Sequence, residues 1–158
     1  ALWECRSLIA WHRARGGGPV GTMGISLGGY VAAMLASFAP ELSFAIPLVP
    51  CADVPTLMWS NGEGTDERAD AEAGGVTFDV FVRAMAVHAP LSHRLAIPKD
   101  RVLLVGARGD RIIPPAHTRA LHRHWGEPQL EWIAGGHLLP FGREQNRAVL
   151  EDWLRSRV

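Results

Sequence analysis

The 158-residue sequence carries no excess of either charge, with 16 Lys plus Arg against 16 Asp plus Glu. A neutral chain has no general electrostatic pull toward nucleic acid or an acidic membrane surface. An ester or lipid substrate stays open, because apolar pockets need no net charge. Cysteine is scarce: Cys5 and Cys51 are the two present. They form neither a C-x-x-C pair nor a Cys/His cluster, so no zinc site is expected. Two scattered cysteines read as small buried hydrophobes rather than as a disulfide framework. No uninterrupted apolar run approaches the roughly 18 to 20 residues of a membrane span. Gly21, Gly24 and Gly28 lack the G-x-G-x-x-G spacing that a dinucleotide site needs. The six tryptophans are dispersed and do not interleave with basic residues, which argues against a stacking platform for nucleic acid. No internal repeat is visible, and the one biased tract is a Gly-rich, acidic stretch. The chain begins at Ala1, directly in a helical pattern and without a signal peptide. It therefore reads as a piece of a longer protein. Its compartment is not legible, and cytoplasmic is a default.

What is present fits one domain with a real core, 47% hydrophobic and 20% charged. Leu2, Cys5, Leu8 and Ile9 recur at helical spacing over 2–15, and Gly16, Gly17 and Gly18 stop that helix. Pro19 to Ile25 reads as a short buried strand. Leu27 to Phe38 reads as an apolar helix with small residues, closed by Pro40. Ser43 to Val49 reads as a strand. Residues 52–75 are polar and Gly-rich and read as a surface loop or excursion. Further helices are expected at 78–88, 117–125 and 141–157, and strands at 101–106 and 129–134. Continuous apolar strands alternating with helices argue an α/β fold with a mostly parallel sheet covered on both faces.

The chemistry-bearing segment is Gly24-Ile25-Ser26-Leu27-Gly28, followed by Gly29. It follows an apolar strand and opens an apolar helix, the setting of a nucleophile elbow. So tight a turn strains the backbone at Ser26, and side chains at 24 and 28 are expected to collide. Gly29 lets the helix approach the strand. The helix N-terminus directs its free amides at the serine, and the Leu27 N–H is placed to bind a developing oxyanion.

A serine hydroxyl needs a histidine base, and the histidine needs a carboxylate to hold its tautomer. Asp110 follows the 101–106 strand and His137 follows the 129–134 strand, each in a glycine-bearing loop. Parallel sheets place their active sites at such strand ends. The order serine, acid, histidine is that expected with this elbow. Competing readings exist for each residue. Ser26 can be a helix cap. Asp110 can be a turn aspartate or a partner of Arg108 or Arg111. Asp53 is the alternative acid, because it too follows a strand. His122 and His124 read as a solvated helix face, and His117 as a surface helix residue near the mouth of the site. Trp59, in Leu57-Met58-Trp59, is either a packing residue or part of an apolar acyl-binding lid.

These segments resemble the α/β-hydrolase superfamily across nearly the whole chain. Residues 24–29 resemble its elbow, Gly106 to Pro114 its acid loop, and Gly135-Gly136-His137 its histidine loop. Ile46-Pro47-Leu48-Val49-Pro50-Cys51 resembles the abhydrolase domain-containing protein 18 family. The resemblance implies a serine hydrolase with a small-molecule acyl or lipid ester substrate, using no cofactor and no metal; the alternatives are the same triad acting on peptide, thioester or carbon–carbon bonds, or a non-catalytic protein of this fold that binds without cleaving. The superfamily has further strands before the elbow, and a loop there supplies a second oxyanion N–H. Neither is present here. The 158 residues are thus expected to be the C-terminal part of such a domain, with an exposed edge strand and half an oxyanion hole, and inactive or poorly folded in isolation.

Overall fold

The computed structural model describes residues 2–137 and 144–156. Helix α1 (Leu2–Ala14) leads through Gly16, at φ 74°, into β1 (Gly21–Ile25). Helix α2 (Leu27–Phe38), β2 (Phe44–Leu48), α3 (Val54–Asn61), α4 (Asp66–Ala73) and α5 (Phe78–Met85) follow. Three short 3₁₀ turns at 86–101 lead to β3 (Leu103–Ala107), α6 (Pro115–His124), β4 (Gln129–Ile133) and α7 (Glu144–Arg155). The start of the helix expected at 141–157 and its last residue lie outside the described residues.

The strands form one parallel sheet in the order β1-β2-β3-β4. Gly21 pairs with Phe44 through Ile25 with Leu48, and Leu103 with Gln129 through Ala107 with Ile133. Between β2 and β3 the pairing thins to Ala45 with Val102 and Leu48 with Val105. Pro47 lies in that gap and has no N–H to give. Alternation along β3 divides the core. Val102 and Leu104 pack on one face with Ala33, Ala36 and Leu121, while Leu103 and Val105 pack on the other with Ile133 and Trp153. Ala32, Ala33 and Ala36 of α2 are fully covered. They let the helix sit so close that a Cβ on Gly29 would come within 2.3 Å of the Leu48 carbonyl oxygen.

The loop expected at 52–75 is two helices instead. Asp53 caps α3, accepting the Thr56 N–H, and Thr65 caps α4, accepting the Arg68 N–H. The glycines read as loop signals sit at helix ends: Gly62 and Gly74 are C-caps, and Gly64 and Gly75 take φ of 80° and 86°. Trp59 ties this module together. Its ring centroid lies 5.3 Å from that of Phe81 and 5.9 Å from that of Phe78, and the Arg68 guanidinium stacks over it at 4.2 Å. Trp59 is thus a packing residue of the α3–α5 module. Both cysteines are free thiols, Cys51 buried and Cys5 half-buried. Among the described residues no helix is long and apolar enough to cross a membrane.

Candidate active site

Ser26 stands between β1 and α2 at φ 57°, ψ −115°. This is a left-handed conformation that L side chains avoid, and it is costly unless its surroundings enforce it. The enforcement is visible on both sides. The Ser26 N–H donates to the Leu48 carbonyl at 3.0 Å, and the Ser26 carbonyl accepts from the Tyr30 N–H at 2.8 Å. The serine side chain makes no capping hydrogen bond, so Ser26 is not a side-chain helix cap. The elbow glycines are not equivalent. A Cβ on Gly24 would meet the Gly28 carbonyl carbon and oxygen at 2.3 Å, whereas a Cβ on Gly28 would meet nothing within 4 Å. The collision expected at both positions exists at Gly24 alone, because Gly24 faces across the turn and Gly28 faces away from it. Leu27 is the first residue of α2, so its N–H is among the first-turn amides that have no intrahelical acceptor.

The structure brings the three predicted partners into one line. His137 Nε2 lies 2.7 Å from Ser26 Oγ, and His137 Nδ1 lies 2.7 Å from Asp110 Oδ2. The other Asp110 oxygen accepts the Ile112 and Ile113 N–H groups, both at 2.9 Å. The side chains of Asp110 and His137 are 1% and 8% exposed. Asp110 is therefore not a simple turn aspartate, because its second oxygen is committed to the histidine. The two loops are stitched together by Arg108 N–H to Ile133 O and Gly109 N–H to Gly135 O. With Nδ1–H donated to the carboxylate, the Nε2 lone pair faces the serine hydroxyl. Such a line can draw the proton from Ser26 while its oxygen attacks a carbonyl.

Asp53 has a different place. Its side chain caps α3, and its N–H donates to His117 Nδ1 at 3.3 Å. His117 is half-buried at that contact, which corrects its reading as a surface helix residue. Burial lowers its pKa, against the opposing pull of Asp53 and Asp110. His124 is exposed, as a solvated face predicts, and contacts the His93 carbonyl at 2.9 Å.

Beside Ser26 lies a cavity of about 430 Å³. It is lined by Leu27, Tyr30, Cys51, Val54, Leu57 and Ile113 among others, and among the described residues by no Asp, Glu, Lys or Arg. Burial pushes the Cys51 thiol up to about 11 and raises the Tyr30 hydroxyl, the latter helped by the nearby Cys51. Sequence reasoning did not find this wall. One signal was available for Tyr30, which stands one helical turn beyond Ser26 on α2. Among the described residues no group of three or more His, Cys, Asp or Glu could hold a metal ion.

Residues 1–69 match the family model for alpha/beta hydrolase domain containing 18. An uncharacterized protein of Mycobacterium tuberculosis is 32% identical over 140 residues, which are 87% of this chain and 33% of that protein. The chain thus spans about a third of the length of the curated relatives it matches. Among solved structures, an esterase from Pyrococcus furiosus superimposes with a TM-score of 0.66 at 11% identity, covering 99% of this chain and 61% of that one. A monoacylglycerol lipase from Paleococcus ferrophilus superimposes with a TM-score of 0.61 at 17% identity, covering 100% and 76%. With its parallel sheet, its strained elbow and these structural neighbours, the chain has the α/β-hydrolase fold.

Proposed function

We propose that the protein is a serine hydrolase that cleaves an ester or similar acyl bond, with Ser26 as nucleophile, His137 as base and Asp110 as the acid that orients it. The observation that carries this reading is the unbroken line from Asp110 Oδ2 through the His137 ring to Ser26 Oγ, with 2.7 Å at each contact. In the first step Ser26 Oγ attacks the carbonyl carbon and its proton passes to His137 Nε2. The carbonyl electrons move onto oxygen, and the Leu27 N–H stabilises that oxyanion. The oxyanion then collapses and expels the alcohol oxygen, which takes the proton from His137. Water attacks the acyl-serine with His137 again as base, releasing the acid and restoring Ser26. Asp110 orients the His137 ring and stabilises the imidazolium formed in each half-reaction. The apolar side chains of Leu27, Val54, Leu57 and Ile113 around the cavity beside Ser26 favour an apolar acyl group over a charged one.

We further propose that the 158 residues are one portion of a larger catalytic domain, and that a segment outside them supplies the second oxyanion donor. β1 is an edge of the described sheet and leaves Met23 and Ile25 58% and 47% exposed, apolar surface that a further layer would cover. Losing one oxyanion donor typically costs about a hundred- to a thousandfold in rate, so the isolated 158 residues should be slower than the complete protein by that order.

Fluorophosphonate labelling of the complete protein, beside its Ser26→Ala variant, tests the assignment. Labelling of wild type that disappears in the variant is expected. A folded wild type that takes no label would show that Ser26 is not activated, and the fold would then serve binding rather than catalysis.

A further inference from the structure

Two cavities share Tyr30 and His88 in their walls. One is the apolar cavity at Ser26. The other, of about 600 Å³, lies along the groove between α1 and α2, and both side chains line both cavities. The wall of the second follows from helix periodicity. Tyr30, Met34 and Phe38 recur every four residues, so they form one stripe of α2 that begins a turn beyond Ser26. At about 1.5 Å per residue this stripe carries the groove roughly 18 Å from the nucleophile. Leu2 and Ala10 of α1 face it. Arg6 and Glu41 also line it, 3.9 Å apart as an ion pair, so they add no net charge.

We infer that this groove is a distal acyl site, and that the substrate class is an ester of a long acyl chain. The inference rests on the assignment of Ser26 as nucleophile. The acyl carbons next to the scissile carbonyl fill the cavity at Ser26. The tail passes between Tyr30 and His88 and lies along Met34 and Phe38. Three observations select this occupant: a wall shared with the cavity at Ser26, an apolar stripe along one helix, and no net charge. Tyr30 and His88 are then the residues that set chain length. Each methylene that leaves water for such a groove strengthens binding about three- to fourfold, so a groove of this length gives a steep preference for long chains.

The test is the acyl-chain profile of the complete protein on p-nitrophenyl butyrate, octanoate and palmitate, with Ala10→Trp and Ser7→Trp beside wild type. Ala10 and Ser7 are exposed on α1 and line the distal groove but not the cavity at Ser26. Their replacement by Trp fills the groove without breaking the core. Wild-type kcat/KM is expected to rise from butyrate to palmitate. The palmitate-to-butyrate ratio is expected to fall at least about tenfold in one or both variants, as pocket volume limits discrimination. A wild type that prefers butyrate, or a ratio unmoved in two variants with wild-type melting profiles, overturns the distal site while leaving the serine assignment standing. Failure of wild type to take a small fluorophosphonate overturns the serine assignment, and this inference with it.

Discussion

The two sides of Ser26 are built differently. On the sheet side, β2 and β3 are buried along almost their whole length, and the acid and histidine loops are stitched to each other by backbone hydrogen bonds. On the other side, Pro55 is the one buried residue in the three helices of the α3–α5 module. Side-chain caps and the packing around Trp59 hold that module. Ser26, Asp110 and His137, whose geometry must be held to fractions of an ångström, all stand on the well-packed side. Val54, Leu57 and Met85, which shape the wall of the cavity, stand on the loosely packed side. Sparse apolar burial lowers the free energy of local opening. The frame for the proposed chemistry is therefore the rigid part of the molecule, and the wall of the cavity beside it is the soft part.

The sharpest way to break this comparison is at the rigid site. Asp110→Asn leaves an acceptor for the Ile112 and Ile113 N–H groups but removes the charge beside His137 and favours the wrong tautomer. A loss of about 10⁴ in kcat is expected with the melting profile little changed. Ester turnover within tenfold of wild type would remove Asp110 from its proposed role. Next come the glycines. Gly24→Ala drives a Cβ into the Gly28 backbone and Gly29→Ala drives one into the Leu48 carbonyl. Neither neighbour is the free end of a side chain, so each is expected to cost roughly 1–3 kcal/mol or more. Gly28→Ala meets open space and is expected to be neutral or to stabilise by up to about 1 kcal/mol. Thermal denaturation of the three variants separates them. Equal losses at 24 and 28 would contradict the asymmetry of the turn.

On the soft side, Trp59→Ala removes the ring on which Phe78, Phe81 and Arg68 pack. Its effect should be local. Amide exchange is expected to accelerate across 54–85 while β2 and β3 keep their protection, because no buried cluster of the sheet contains Trp59. Acceleration spread evenly over sheet and module would mean that the two regions open as one unit.

The same division decided what the sequence made legible. β3 was readable because Val102 to Val105 is an unbroken apolar run, as strands covered on both faces require. The elbow was readable because a strained serine between a strand and a helix needs glycine nearby, and glycine is visible in a sequence. Residues 52–75 were misread because composition was weighed above capping. Asp53 with Thr56 and Thr65 with Arg68 each place a capping oxygen three residues before the amide it accepts. The glycines beside them mark where helices end. Beyond the fourfold spacing of Tyr30, Met34 and Phe38 along α2, the lining of the two cavities was not legible. It depends on how α1, α2 and the module pack together, and no local pattern encodes that.

The smallest expected effect joins the two regions. His117 of α6 accepts the Asp53 N–H through Nδ1, so it fastens the start of α3 to the framework. It can do so only with Nδ1 unprotonated. Burial lowers its pKa below the ordinary 6.5, while Asp53 and Asp110 pull the other way without reversing the shift. The unfolded chain therefore takes up this proton at a higher pH than the folded one does. Stability from His117 is complete above 6.5, falls as pH drops through 6.5, and is lost below the folded value. His117→Gln keeps an acceptor and has no proton to gain. Denaturant melts of wild type and variant, taken above and below pH 6.5, should show a shallower acid-side decline in the variant. If the two declines were parallel, the contact between α6 and the module would be independent of that proton, and the module's softness would come from its own sparse packing alone.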